Sequence, residues 1–276
     1  MTINCSGQLI DLSTPKIMGI LNITPDSFFD GGKYADMDAV LNQTELMLAE
    51  GATFIDIGAY SSRPGAKHIS EQDELDRIVP VVEAIQKSFP NALLSIDTFR
   101  SNVAKACITK GAHIINDISA GNMDKHMFET VAELQVPYII MHMKGTPQNM
   151  QQHQTYNNIT AEVLKYFSEK IFSLRKLGLN DIIIDVGFGF AKTMDHNYEL
   201  LANLEMFQSL NIPNLVGVSR KSMIYKLLET SPLEALNGTT VLNTIALLNG
   251  AHILRVHDVK EAAESLRLVQ KIKQHS

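Results

Sequence analysis

The chain has 276 residues, 45% of them hydrophobic and 20% charged, with a formal net charge of -6. That is the make-up of an ordinary globular protein, and it leaves no basic footprint for nucleic acid or an anionic membrane surface. No apolar stretch approaches the roughly 20 residues of a membrane-crossing helix, and the two cysteines are too few for a disulfide framework and lack metal-ligand spacing.

Residues Met1 to Asp11 lack a basic segment followed by an apolar core, so no signal peptide is expected. The sparse cysteines fit a reducing, cytoplasmic setting. In chain order, Thr2–Ser13 alternates around the turn signal Ser6-Gly7 and reads as a hairpin. The β-branched run Ile17–Ile23, ending near Asn22, leads into a long loop, Thr24–Asp36, that contains Gly31-Gly32. A helix is predicted over Asp38–Glu50, stopped by Gly51. Phe54–Gly58 with Asp56 is the next strand run, followed by the loop Ala59–Ile69. Ser70 and Asp73 then form a capping pattern for a helix over Ser70–Phe89, in which Pro80 predicts a kink.

Leu93–Thr98 with Asp97 and Ile114–Ser119 with Asn116 and Asp117 flank a helix over Ser101–Lys110, where Cys107 reads as a small buried apolar side chain. A helix over Lys125–Gln135 precedes the strand run Tyr138–His142 and a third long loop, Met143–Asn158. Next come a helix over Thr160–Leu177, the run Ile182–Gly187 with Asp185, and a helix over Tyr198–Leu210. The run Leu215–Arg220 is followed by helices over Lys221–Glu229 and Thr239–Asn249, then by Ile253–Asp258 with Arg255 and His257. A helix over Val259–Gln274 closes the chain.

Eight apolar runs of this kind suit strands buried on both faces of a parallel sheet. Their alternation with helices predicts repeated βα units. Polar groups gathered at strand ends suit the active face of an eight-stranded α/β barrel, the TIM or (β/α)8 fold. No linker divides the chain, so one domain is expected, with the N-terminal hairpin closing the barrel floor.

Several stretches carry more than pattern. They are Met18-Gly-Ile-Leu-Asn22-Ile-Thr-Pro-Asp-Ser27-Phe-Phe-Asp30, Asp56-Ile-Gly-Ala-Tyr-Ser-Ser62-Arg63-Pro64-Gly65, Ser95-Ile-Asp97-Thr, and Ile115-Asn116-Asp117-Ile118-Ser119. Asp185-Val-Gly-Phe-Gly-Phe190-Ala-Lys192, Val218-Ser219-Arg220-Lys221-Ser222 and Arg255-Val-His257-Asp258 complete the set. In this order, from about Ile17 to His257, the chain resembles the dihydropteroate synthases of folate biosynthesis. The resemblance implies condensation of 6-hydroxymethyl-dihydropterin diphosphate with 4-aminobenzoate, yielding dihydropteroate and pyrophosphate with Mg²⁺ assisting. It also implies a homodimer and inhibition by sulfonamides, which mimic the aminobenzoate.

Loss of diphosphate leaves a methylene whose positive charge the pterin ring can spread, so an SN1-like path is expected. It requires an anion clamp, a polar slot for the pterin and an orienting site for the amine. For the clamp, Asn22 offers an amide oxygen suited to Mg²⁺, and Arg63 beside Ser61 and Ser62 can grip phosphate bidentately. Alone, the first would be a turn residue and the second a solvated surface arginine. Arg255 and His257 alternate on the last strand and so share a face. A buried Arg255 needs an anion or carboxylate beside it, and the resemblance implies that Arg255 and His257 contact diphosphate and that Arg255 stacks on the pterin.

For the pterin slot the candidates are Asp97, Asn116 and Asp185, with Lys221 donating to the pterin carbonyl. The ordinary alternative for each carboxylate is a backbone cap or structural ion pair, and for Lys221 an exposed helix-start lysine. Asp97, Lys221 and Arg63 are the expected catalytic residues, Asp97 stabilising the developing cation and not acting as a base, because the amine is already neutral. Asp56 is either a support for Asp97 or an interior polar residue without substrate contact. Met141 is either core or part of the pterin pocket. For 4-aminobenzoate, Phe28, Pro64 and Phe190 can frame the ring, and Ser219, Ser222 and the helix start near Lys221 can bind the carboxylate.

Three positions, Tyr60, Ser62 and Val186, depart from the family pattern. Tyr60-Ser61-Ser62-Arg63 stands where many relatives have Glu-Ser-Thr-Arg, and Val186 stands where many have Pro. Two other readings remain open at this point: a methyltetrahydrofolate methyltransferase, which needs a corrinoid partner and no diphosphate clamp, and a catalytically silent barrel.

Overall fold

The computed structural model describes residues 1–23, 33–61 and 68–275. Ten strands are described. β1 (Thr2–Cys5) and β2 (Gln8–Asp11) form an antiparallel hairpin, and β3 (Lys16–Asn22), β4 (Phe54–Gly58), β5 (Leu93–Asp97), β6 (Ile114–Asp117), β7 (Tyr138–Met141), β8 (Ile182–Asp185), β9 (Asn214–Val216) and β10 (Ile253–Val256) form a closed parallel barrel. The barrel is closed by the pairing of β10 with β3, Ile253 opposite Lys16 and Val256 opposite Gly19. Helices lie between consecutive barrel strands, so the expected (β/α)8 architecture is what the chain adopts.

Alternation along each strand sorts the side chains into two sets. One set, including Ile17, Leu21, Ile55, Ile57, Leu94, Ile96, Ile115, Ile140 and Ile184, packs outward against the helices. The other points into the barrel. Its lowest layer is apolar: Met18, Phe54, Leu93, Ile114, Ile139, Ile183, Leu215 and Ile253 pack together with Ile3, Cys5, Ile10 and Leu12. The hairpin therefore plugs the end of the barrel where the strands begin, as its alternation implies. Its turn uses Ser6 and Gly7 at φ 51° and 92°, both left-handed, which matches the twist of a two-residue hairpin loop. Two residues further along the same strands, five of the eight inward positions are polar: Asp56, Ser95, Asn116, Asp185 and Arg255.

Most helices fall where the periodicity places them. Ser70 caps α-helix Glu71–Ser88 through a capping box with Asp73. The helix runs unbroken through Pro80, because Pro80 and Asp76 both lie on the exposed side and the carbonyl freed by the missing N–H faces water. The helix predicted over Tyr198–Leu210 is instead an α-helix, Met194–Ala202, followed by 3₁₀ turns over Leu204–Leu210. Thr193 starts it early: its hydroxyl accepts the His196 N–H at 3.2 Å while the His196 ring accepts the Thr193 N–H at 3.3 Å. The stretch predicted as Lys221–Glu229 is helical only over Ser222–Tyr225, and the chain turns at Glu229, whose φ is 53°. Among the described residues no helix is long and apolar enough to cross a membrane.

Candidate functional site

The polar layer above the floor is built around Asp56, which is wholly buried in the barrel. One carboxylate oxygen accepts the Ser95 hydroxyl at 2.6 Å. The other accepts the Asn116 amide at 3.0 Å and the Arg255 Nε–H at 2.6 Å. Arg255 Nη2 then donates to Asp97 at 2.8 Å. Four strands thus meet at one carboxylate, and a third ionisable group, Asp97, hangs from the same guanidinium. Asp56 fits parts of both readings open for it: it holds Arg255 and Asn116, reaches Asp97 only through Arg255, and does not line the cleft.

Charges buried this deeply persist only when paired and hydrogen-bonded. Burial alone would lower the Arg255 pKa, but Asp56 and Asp97 hold it above the ordinary arginine value. Burial raises the Asp97 carboxyl, with Arg255 pulling the other way. On the opposite wall, burial raises Asp185, while Lys221 and the Gly187 N–H, at 2.8 Å, oppose the rise. Lys221 is lowered to about 8 by burial, against the attraction of Asp185. Its Nζ donates to the Phe188 carbonyl at 2.6 Å and lies 5.0 Å from the Phe190 ring centroid.

These side chains converge. Asp97, Asn116, Ile118, Met141, Asp185, Phe190, Gly217, Lys221 and Arg255 line one cleft at the carboxyl ends of the strands. Met141 is therefore a wall residue. Asn22 ends β3 beside this cleft: a Cβ built on Gly58 would lie 3.5 Å from the Asp97 Cβ and 3.6 Å from the Asn22 carboxamide oxygen. Ser219 and His257 do not line the cleft but join each other, the His257 N–H donating to the Ser219 hydroxyl at 3.1 Å. Ser222 opens the short helix Ser222–Tyr225. Phe28, Ser62, Arg63 and Pro64 lie outside the described residues. A wider groove of about 440 Å³ runs between Ser13–Pro15 and the last helix, lined by Leu247, Leu266 and Lys273, and it gathers no comparable set of carboxylates and cations.

The segment after β8 has its own internal order. Gly187, Gly189 and Ala191 take left-handed φ of 73°, 83° and 51°, and a Cβ on Gly187 would collide with the His142 carbonyl. Two members of this region, His142 and Lys192, are buried against each other with Nζ 3.0 Å from Nδ1. Burial and the nearby Lys192 hold His142 down to about 2, and burial lowers Lys192 to about 7. Sequence reasoning gave neither a role, nor Ser95, because the pairing spans 50 residues and only a strand-end histidine and a loop lysine mark it in the chain.

Comparison with known proteins agrees with this geometry. The family of pterin binding enzymes matches residues 18–257. Dihydropteroate synthase of Escherichia coli (strain K12) is 45% identical over 272 residues, 98% of this chain and 96% of that protein. The Yersinia pestis dihydropteroate synthase, solved with a sulfonamide drug, is 42% identical with a TM-score of 0.93, covering 99% of this chain and 100% of that one. The Xanthomonas albilineans dihydropteroate synthase, solved with 4-aminobenzoic acid, is 36% identical with a TM-score of 0.92, covering 99% and 98%.

Proposed function

The chain belongs to the dihydropteroate synthase family, and from that premise we propose how its residues join 6-hydroxymethyl-7,8-dihydropterin diphosphate to 4-aminobenzoate. The observation that carries the reading is the convergence of Asp97, Asn116, Asp185, Lys221 and Arg255 on one cleft. A pterin edge presents N–H and amino donors beside ring acceptors. Asp185 and Asn116 suit the donors, and the Lys221 ammonium suits the carbonyl. The Arg255 guanidinium, held flat by its bonds to Asp56 and Asp97, offers a face for stacking on the pterin ring.

The reaction breaks the bond between the methylene carbon and the diphosphate oxygen, and the electron pair leaves with the diphosphate. The amine lone pair of 4-aminobenzoate forms the new C–N bond, and one proton is lost from that nitrogen. Asp97, aimed at the cleft, stabilises the positive charge that develops on the pterin methylene along an SN1-like path. Ser62, Arg63, His257 and Arg255 are the diphosphate clamp. Phe28, Pro64 and Phe190 frame the aromatic amine. Ser219 accepts a bond from His257, so its own hydroxyl proton is still available, with Ser222, for the aminobenzoate carboxylate. Sulfonamides compete for the same place.

Among the described residues no cluster of three or more His, Cys, Asp or Glu side chains is placed to hold a metal ion. Asn22 does present a carboxamide oxygen at the mouth. One neutral oxygen fits Mg²⁺, which keeps several waters and takes its remaining ligands from substrate phosphates. When bound, the ion neutralises charge on the departing diphosphate. Exposed Val241, Ile245 and Leu248 form a stripe on helix Leu236–Leu248, and exposed Leu268 and Ile272 lie on the adjoining helix Val259–Lys273. This apolar face supports a homodimer. Both cysteines are buried thiols, in keeping with a cytoplasmic enzyme.

Calorimetric titration of the pterin diphosphate into wild type and Asp185→Asn tests the pterin slot. Losing a charged acceptor for a pterin donor should weaken binding by about 1.5–3 kcal/mol. Equal affinities would remove Asp185 from the site.

A further inference from the structure

Lys192 has no part in the chemistry described so far, yet it is a cation only 4% exposed. Among the described residues no carboxylate lies within ion-pair distance of it. A buried ammonium of this kind is tolerated only if its three N–H groups find acceptors. They do: Nζ donates to the Phe190 carbonyl at 3.0 Å, to the His142 carbonyl at 3.2 Å and to His142 Nδ1 at 3.0 Å. The imidazole is neutral here, since burial and Lys192 itself keep it from taking a proton.

Both anchoring points adjoin the cleft. His142 follows Met141 directly, and Phe190 is itself a wall. Between Phe190 and Lys192 the chain passes through Ala191 at φ 51°, a left-handed conformation that is strained for a non-glycine residue. Something must hold it there. The Lys192–Phe190 bond spans that residue, and the Tyr156 hydroxyl secures the Ala191 carbonyl at 2.9 Å.

We propose that Lys192 is a positioning residue that fastens the Phe190 loop to the end of β7, fixing the place of the Phe190 wall and thereby the affinity for the flat aromatic amine. The inference rests on the reading of Phe190 as an aminobenzoate wall. It differs from that reading in what it requires: Lys192 touches no substrate and acts only through Phe190.

A double-mutant cycle on the full-length enzyme separates the two. In Lys192→Met the KM for 4-aminobenzoate should rise about tenfold, the effect of one lost contact of roughly 1.4 kcal/mol, while the KM for the pterin diphosphate stays within about twofold. In a Phe190→Ala background the same substitution should change the aminobenzoate KM little, because the wall it positions is gone. Should Lys192→Met fail to fold, Lys192→Gln, which keeps an amide donor, carries the same cycle with a smaller first step. An equal rise for both substrates, or an undiminished effect without Phe190, overturns the proposal. If Phe190→Ala alone leaves the aminobenzoate KM unchanged, the reading of that wall fails instead.

Discussion

Lys221 and Asp97 face each other across the cleft with opposite requirements. Lys221 must be protonated to be a charged donor, and burial lowers it to about 8. Asp97 must be ionised to stabilise a cation, and burial raises it above the ordinary carboxylate range despite Arg255. Protonating Asp97 removes its charge as pH falls, and deprotonating Lys221 removes the positive charge that strengthens its hydrogen bond as pH rises. The kcat/KM profile should therefore be bell-shaped, with its alkaline limb near 8. A rate that stays flat to pH 10 would show that Lys221 does not act as a protonated donor. Asp97, Asn116, Asp185 and Arg255 were legible in the sequence because each stands at the end of an apolar run, where a barrel strand opens into the mouth. Ser95 and the Lys192–His142 pair were not, since their meaning lies in partners on other strands.

At the scale of elements, the same short sequence enters two strands. Gly111-Ala-His113-Ile precedes β6 and Gly250-Ala-His252-Ile precedes β10, the fourth and eighth strands of the barrel. The backbone is used identically. Both glycines are left-handed, at φ 104° and 88°. Each histidine donates its N–H to a neighbouring strand, to the Leu94 carbonyl at 2.8 Å and the Asn214 carbonyl at 3.1 Å. Each ring Nδ1 accepts an N–H back, from Leu94 at 3.2 Å and Asn214 at 3.3 Å. An imidazole accepts there only when neutral, and burial lowers both pKa values.

The unfolded chain then binds protons that the folded chain does not. This contribution is intact above the ordinary histidine value of 6.5 and is lost as pH falls below it. Asn at both positions supplies an acceptor that does not titrate. Between pH 7 and pH 5, wild type should lose at least about 2 °C more in Tm than His113→Asn/His252→Asn. The comparison is between proteins because raised carboxylates such as Asp97, Asp117 and Asp185 push the pH slope the other way. Parallel Tm curves would mean that these rings are not the acid-sensitive bonds. Strand positions and the Ser70 cap were readable from periodicity and side-chain chemistry. The early start at Thr193 was not, because its capping partner is His196 in place of the usual Glu or Gln.

Over the whole molecule, the barrel is dry at one end and charged at the other. The hairpin and eight inward apolar residues close the floor, and the charge needed for chemistry is confined to the layers above it. That division was legible, since the eight runs begin apolar and end polar. The proposed dimer has no such mark in the chain: a stripe such as Val241, Ile245 and Leu248 reads in sequence as ordinary helix core. Ile245→Lys should convert a dimer to a monomer in light scattering while leaving the pterin cleft intact. A wild-type protein that is already monomeric would refute the dimer.

The most direct test of the account is product formation from radiolabelled 4-aminobenzoate, with each of pterin diphosphate and Mg²⁺ omitted in turn, in wild type and in Lys221→Ala. Labelled dihydropteroate is expected only when both are present, with a loss of at least about a hundredfold in kcat/KM, roughly 2.7 kcal/mol, in the variant. Product that forms equally well without Mg²⁺, or undiminished in Lys221→Ala, would contradict the account.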